Sequence, residues 1–489
     1  MTDNRENNNN YYIWFRHIVN TCIALFFLFS LISNLFVYVS VFNGWMKYLL
    51  LIVIAAVFTF IVVKYKDFLR KWLNQTITYL QKYSFWQLLG CMIVISIILK
   101  AFYYAFFFFD STKFGQDITV YANLADKIAE GGIASVDRQI YYLVGMGIHL
   151  SIFKKLSIPY HLGVYIVFLI GTIINFFSFA KYIGKEKTFL LIVLYLLMPS
   201  TSMLTFCVTH ELFVYLYFSI IFVVLNALMN KETTKDLMFY SMLAIIFISL
   251  NQTISPMGKI WFILLVLLML LTRIGIKKRI AILAILLVSY FCSNYLTTSL
   301  EGNNASKNNN YEQLLIGCDL ESMGRHTDGR GKKAAQAYWE ARGQVLTIDN
   351  YFEGQKGALI EQYKYLATHP LKLVELLANK FYVAWSGDFY SIEYGHNMGS
   401  INDLTFYLML LTSAFIWLLA ISIGAVYYKK KGENIGILNY KTILLGVAAV
   451  LLITEIMNKY SCYMTLFLYF ISFTRAELNK TSDLKNESK

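Results

Sequence analysis

Residues 106–155 read FFFFDSTKFGQDITVYANLADKIAEGGIASVDRQIYYLVGMGIHLSIFKK, and how often this stretch crosses a membrane sets the topology of everything after it. Its first phenylalanines end an apolar run that begins near residue 85. From Ile118 to Ala129 the apolar residues recur at helical spacing, and Gly131-Gly132 supply a stop. This predicts a short amphipathic helix lying on the outer leaflet. Ile140 to Phe153 is apolar too, but it reaches only about half of the roughly 20 residues that a spanning helix needs. If it crossed, the basic connection Lys181, Lys185 and Lys187 would move to the outside and every later segment would invert. It is therefore read as a helix at the outer surface.

Working outward, the chain has 489 residues, 57% hydrophobic and only 15% charged. That is too little polar surface for a soluble fold of this length, and it predicts an all-α polytopic membrane protein. Spans are expected near 19–42, 47–65, 85–109, 160–181, 188–205, 211–229, 237–252, 258–273, 279–297, 402–427, 440–457 and 460–474, about twelve in all. The connections carrying Lys64, Lys66, Arg70 and Lys71, then Lys181, Lys185 and Lys187, then Arg273, Lys277, Lys278 and Arg279, then Lys429, Lys430 and Lys431 are the basic ones. The positive-inside rule makes them cytoplasmic, along with both termini. The surplus of 43 basic over 30 acidic residues, +13, is thus a topology signal, and nucleic-acid binding is discarded. The six cysteines form no C-x-x-C pair, which argues against a thiolate metal site or a disulfide framework.

The resulting division is residues 1–84, a cytoplasmic N-terminus with two additional spans; 85–297, a core that includes the first outer loop, 110–159; 298–401, a large outer loop; and 402–489, the last spans and a cytoplasmic tail. In the large loop helices are expected over Lys332 to Leu346 and Gly354 to Trp385, the second kinked at His369-Pro370. Lys100 stands inside a span and is read as snorkelling or paired. By position alone Asp117 is a helix N-cap. Glu211 and His210, at the mouth of a span, have a solvated boundary as their plainest explanation.

The pattern Asp117-x-x-x-Tyr121-Ala122, followed by A-x-x-x-A-E-G-G and a half-length apolar helix, resembles the GT-C superfamily of integral-membrane glycosyltransferases. The similarity is to the bacterial oligosaccharyltransferase and the lipid A aminoarabinose transferase, where an acidic residue of the first outer loop precedes a tyrosine by four. The turn MPSTSMLTFCVTHELF resembles the family's second acidic position, which Glu211 matches beside His210. THPLKLVELLANKFYVAW resembles the return of the large loop to the membrane, with Lys380 at the lysine. Glu455, Lys459 and Tyr460 resemble the E-x-x-x-R-Y signature of the protein-mannosyltransferase-like branch. There Lys459 replaces arginine and loses the bidentate fork. Without the resemblance, Glu455 and Lys459 are a helix-stabilising i, i+4 pair.

The resemblance implies transfer of a sugar from a polyprenyl-phosphate-linked donor to a cell-surface glycan or glycolipid acceptor, on the outer face of the bilayer. Asp117 and Glu211 would be the catalytic carboxylates. Tyr121, Arg138, His210, Lys259, Lys380, Glu455, Lys459 and Tyr460 would bind substrate, with the cations at the leaving phosphate. Any divalent cation would fall to Asp117, His210 and Glu211. Two other classes fit an integral protein of this size. A carrier or flippase of lipid-linked sugars would show repeated halves and interrupted helices, neither of which is read in this sequence, and a polysaccharide polymerase or ligase would carry arginine-rich outer loops, whereas outer arginines are scarce here.

Overall fold

The fold follows from apolar runs that must satisfy their backbone polar groups internally once water is excluded, which for a single segment means a helix. In the computed structural model the described residues are 3–39, 46–106, 115–133, 141–255, 259–271, 275–301, 311–321, 330–347, 350–385 and 402–426, with 441, 444, 445, 448, 466, 467, 470 and 471. Among them there is no strand. In chain order the helices are α1 Asp3–Val37, α2 Met46–Lys64, α3 Lys66–Leu80, α4 Phe85–Phe106, α5 Gly115–Gly131, α6 Tyr141–Lys155, α7 Tyr160–Ile183, α8 Lys185–Leu197 and α9 Pro199–Leu204. There follow α10 Glu211–Met229, α11 Thr234–Ile254, α12 Ile260–Leu271, α13 Ile276–Glu301, α14 Tyr311–Cys318, α15 Arg330–Glu340, α16 Tyr351–Thr368, α17 Pro370–Trp385 and α18 Asp403–Val426.

Among the described residues seven helices are long and apolar enough to cross a membrane: most of α1, then α4, α7, α10, α11, α13 and α18. The protein is a polytopic helical membrane protein. The expected count of about twelve is not reached among the described residues, for separate reasons. The run at 188–205 is not one helix: α8 stops at Leu197, Met198 turns extended at ψ 119°, and α9 restarts at Pro199. Proline lacks the N–H and pushes its predecessor out of the helical region, so the break lies in the local sequence. Helix α12 has only 12 residues. Helix α2 bends by 59° into α3, so the connection expected after residue 65 is itself helical. Most of the spans expected at 440–457 and 460–474 lies outside the described residues.

Local chemistry sets several starts. Ser84 and Gln87 cap α4 reciprocally, Ser84 N donating to Gln87 Oε1 at 2.8 Å and Gln87 N to Ser84 Oγ at 3.2 Å. Thr233 Oγ1 accepts from Asp236 N at the start of α11.

Contacts fix the directions of the core helices. Phe85 meets Phe176 at the beginning of α4, while Ser96 Oγ lies 3.0 Å from Tyr165 Oη further along, so α4 and α7 are antiparallel. Helices α7 and α10 run parallel, with Phe168 on Tyr215 and Asn175 Nδ2 donating to Ser219 Oγ at 2.9 Å. Asn175 Nδ2 also donates to Tyr215 Oη at 3.0 Å, in an interhelical network of the kind that holds spans together without a hydrophobic driving force. Gly171 leaves room for the Tyr215 ring, which a Cβ would meet at 2.8 Å.

One end of the bundle gathers Tyr104, His161 and Phe206, the rings of His161 and Phe206 both stacked near Tyr104. At the other end Lys185 Nζ donates to Tyr83 O at 2.6 Å, and Lys278 Nζ to Met229 O at 2.8 Å. The chain therefore leaves α4 and enters α7 at the same end. Helix α6, 15 residues and about 22 Å long, is packed into that end without traversing the bundle.

Between α13 and α18, helices α14 to α17 build a small core of their own from Leu315, Cys318, Leu359, Leu366 and Leu376. The expected break at His369-Pro370 is present, separating α16 from α17. The helix expected over 332–346 ends earlier, at Glu340, where the chain turns through Gly343 at φ +68°.

Candidate functional site

The site grows from an α5–α6 hairpin laid across the mouth of α10. Helix α5 ends as its sequence predicts: Gly132 takes φ +72° and its N–H returns to Ile128 O at 3.0 Å. Leu124 and Ile128 form the apolar face turned to α6, packed with Leu143 and Ile148. Gly147 permits that approach, since a Cβ there would stand 2.9 Å from Leu124 Cβ. Gly145 permits a closer one on the opposite side, where a Cβ would lie 2.0 Å from Thr253 O of α11. One G-x-G in α6 thus seats the helix against two neighbours.

Polar contacts lock the hairpin. Asp126 accepts from Tyr160 Oη at 2.7 Å and pairs with Lys154 at 2.9 Å. Burial opposes ionisation of Asp126, yet the hydrogen bonds from Tyr160 and Lys154 outweigh it and hold the carboxyl below the ordinary carboxylate value. The same pairing raises Lys154. His149 bridges α6 to α10, with Nδ1 2.7 Å from Gly145 O and Nε2 2.6 Å from Tyr217 Oη. Burial pushes its imidazole down, and the neutral tautomer that fits donates from Nδ1 and accepts from the Tyr217 hydroxyl.

Above this lies the cluster the sequence reading singled out. Tyr121, buried on α5, places its Oη 3.2 Å from His210 Nδ1. His210 Nε2 stands 3.5 Å from Glu211 Oε1, with side-chain exposures of 12% and 1%. Glu211 opens α10, where the helix dipole favours a carboxylate, and His210 precedes it as N-cap. A carboxylate so far withdrawn from water is costly unless charge or hydrogen bonds compensate, and the adjacent imidazole can supply both. Tyr142 completes the surround, its ring 6.3 Å from that of His210. The row phenol, imidazole, carboxylate can hold or pass a proton between the loop helix and the span.

Asp117 sits one turn before Tyr121 on α5. The helix begins at Gly115, so Asp117 is in its first turn and not the N-cap that spacing suggested. Of the remaining predicted residues, the two that are described, Lys259 and Lys380, are not gathered here. Lys380 is fully buried elsewhere and donates to Gly317 O at 2.9 Å, fastening α17 to α14. Lys259 is exposed just before α12. Arg138, Glu455, Lys459 and Tyr460 lie outside the described residues. No group of three His, Cys, Asp or Glu side chains with metal-holding geometry occurs among the described residues.

Lys100 was underrated by sequence reasoning. Of the two readings, snorkelling or paired, the second holds: its Nζ donates to Thr205 O at 2.9 Å and Thr205 Oγ1 at 3.2 Å, and lies 3.2 Å from the centre of the Phe206 ring. It thereby fixes the segment between α9 and His210-Glu211. Beside it is a cavity of 10 Å³, room for about one water, lined by Ser96, Tyr165, Thr201, Ser202 and Thr205. The available signal was a lysine deep in FWQLLGCMIVISIILKAFYYAF with no acidic residue one turn away. Comparison of the chain with protein-family models, curated proteins and solved structures finds no match.

Proposed function

We propose that the protein is a glycosyltransferase that moves a sugar from a polyprenyl-phosphate-linked donor to a glycan or glycolipid acceptor at the outer face of the membrane. The observation that carries this reading is the Tyr121–His210–Glu211 row, which joins the first-loop helix to a buried carboxylate at the mouth of a span. In the proposed reaction an acceptor hydroxyl attacks the anomeric carbon, the bond to the phosphate oxygen breaks, and the polyprenyl phosphate departs with the electron pair. The hydroxyl proton passes to a carboxylate, for which Glu211 through His210, or Asp117, are the candidates. Cations at the leaving phosphate would come from Arg138 and Lys459.

The test is sugar transfer from radiolabelled polyprenyl-phosphate monosaccharides by membranes holding the wild type, Glu211→Gln or Asp117→Asn at matched expression. Transfer by the wild type that falls at least about a hundredfold in Glu211→Gln supports the reading. A second reading, a carrier of lipid-linked sugars, is favoured by the interruption between α8 and α9 next to Lys100, since broken helices and intramembrane charges mark transport paths. Labelled lipid that changes leaflet in the wild type without being consumed would decide for the carrier.

A further inference from the structure

Helix α3 has three faces, and only one of them belongs to the protein core. Leu73 and Leu80 are buried against the bundle, at the end where Lys185 binds Tyr83 O. A second face carries Phe68, Trp72 and Tyr79, which share one helical stripe and are 65%, 49% and 55% exposed. The third face, on the far side of that stripe from the core, is polar. It lines a shallow groove of about 670 Å³ with Arg70, Lys71, Asn74, Thr78, Tyr79 and Lys82, and with Asp67 as its one acidic residue.

This order of faces is that of a helix lying in the plane of a membrane interface. An aromatic stripe at right angles to a polar face suits the headgroup level, where amphipathic rings settle. The 59° bend from α2 turns the chain out of the membrane normal at the point where the apolar run ends. Lys64 sits over the rings of Phe60 and Tyr65, at 5.4 and 5.6 Å, and Lys82 over Tyr79 at 5.4 Å, so an ammonium group stands at each end of the helix. The Arg70–Asp67 pair, 3.8 Å apart, offsets only a part of this charge.

We propose that α3 is a binding site for anionic phospholipid: the aromatic stripe enters the acyl–headgroup boundary and the groove takes the headgroup phosphate on Arg70, Lys71 and Lys82. Charge complementarity selects the occupant, because the groove combines cationic donors with amide and hydroxyl donors and stands beside the exposed stripe of Phe68, Trp72 and Tyr79. The site is independent of the transferase reading.

The experiment uses the full-length protein purified in a mild neutral detergent and titrated with dioctanoyl-phosphatidylglycerol, dioctanoyl-phosphatidylcholine and inorganic phosphate, with binding read by native mass spectrometry. Phosphatidylglycerol should bind in preference to phosphatidylcholine, and each of Arg70→Gln, Lys71→Gln and Lys82→Gln should weaken it about fivefold. Equal retention of the two lipids, or unchanged phosphatidylglycerol binding in the triple variant, overturns the proposal. Displacement by inorganic phosphate at matching concentration would make this a site for the free ion and overturn the lipid assignment. Should the triple variant fail to fold, tryptophan quenching decides. Brominated phosphatidylglycerol should quench the wild type more than brominated phosphatidylcholine does, and the excess should vanish in Trp72→Phe; an excess that persists in that variant refutes the placement.

Discussion

The connection between α4 and α7 and the connection between α13 and α18 are both helical, but they are built on opposite principles. The first has only a small cluster of its own, Leu124 and Ile128, and sends Tyr121, Ala125, Met146 and Leu150 into the core of the bundle. Its apolar residues pack between the two helices of the hairpin and into the bundle, through Gly145 on Thr253 and His149 on Tyr217. The second has a private core around Leu359 and Leu366 and is tied to the bundle through the end of α17, where Phe26 packs on Phe381 and Trp385 and Asn34 Nδ2 donates to Trp385 O at 3.0 Å. A connection that shares the bundle's core is positioned as accurately as the spans themselves. One that carries its own core can be lost or altered with less effect on the rest, and it is the first that presents Tyr121 to His210 and Glu211.

The sharpest way to break this contrast is Gly145→Ala. A methyl group 2.0 Å from a backbone oxygen cannot be relieved by a rotamer change, so α6 must shift; a loss of roughly 3 kcal/mol is expected, read as a lower thermal midpoint in detergent. Gly90→Ala, where a Cβ meets nothing within 4 Å, is the control, and it should be neutral or stabilise by up to about 1 kcal/mol, with the midpoint unchanged or raised. If the two variants behave alike, the seating of α6 is wrong. Next comes Lys380→Met, which leaves Gly317 O without its ammonium donor at a cost of about 1–3 kcal/mol. Faster proteolysis should be confined to the large connection, leaving the α5–α6 hairpin protected. Hairpin cleavage at the same rate would refute the independence of the two.

The smallest effect is at Asp126. Its folded value is depressed, so its contribution is complete at pH above the ordinary carboxylate range near 3.9 and is lost as pH falls through the depressed folded value. The pair is substantially exposed, which limits the effect of Asp126→Asn at neutral pH to under about 1 kcal/mol. Hydrogen exchange of α5 should rise slightly in this variant at pH 7, and the difference from wild type should close in strong acid. A difference that grows on acidification would contradict the assignment.

The α5 helix and its glycine stop were readable from period and residue type, and so was the proline break between α16 and α17, because both are set within a few residues. Pro199 also read as a segment junction, and the break is there, although the span drawn at 188–205 ran across it. Lys380 matched a motif by position, but its ammonium was taken up by a carbonyl 63 residues away, a partner no local pattern announces. Lys100 shows the same limit, with its acceptors on Thr205.

The sequence by itself determined that the chain is helical and embedded in membrane, since apolar run length and the need to satisfy backbone hydrogen bonds leave little else. It also marked Tyr121, His210 and Glu211 as worth attention. Only the tertiary structure decided that they meet, that α6 enters the bundle's end and stops, and that α3 turns its aromatic face away from the core. Those outcomes depend on which glycine faces which carbonyl and on helix directions fixed by pairs such as Ser96 with Tyr165, contacts between residues far apart in the chain that periodicity does not encode.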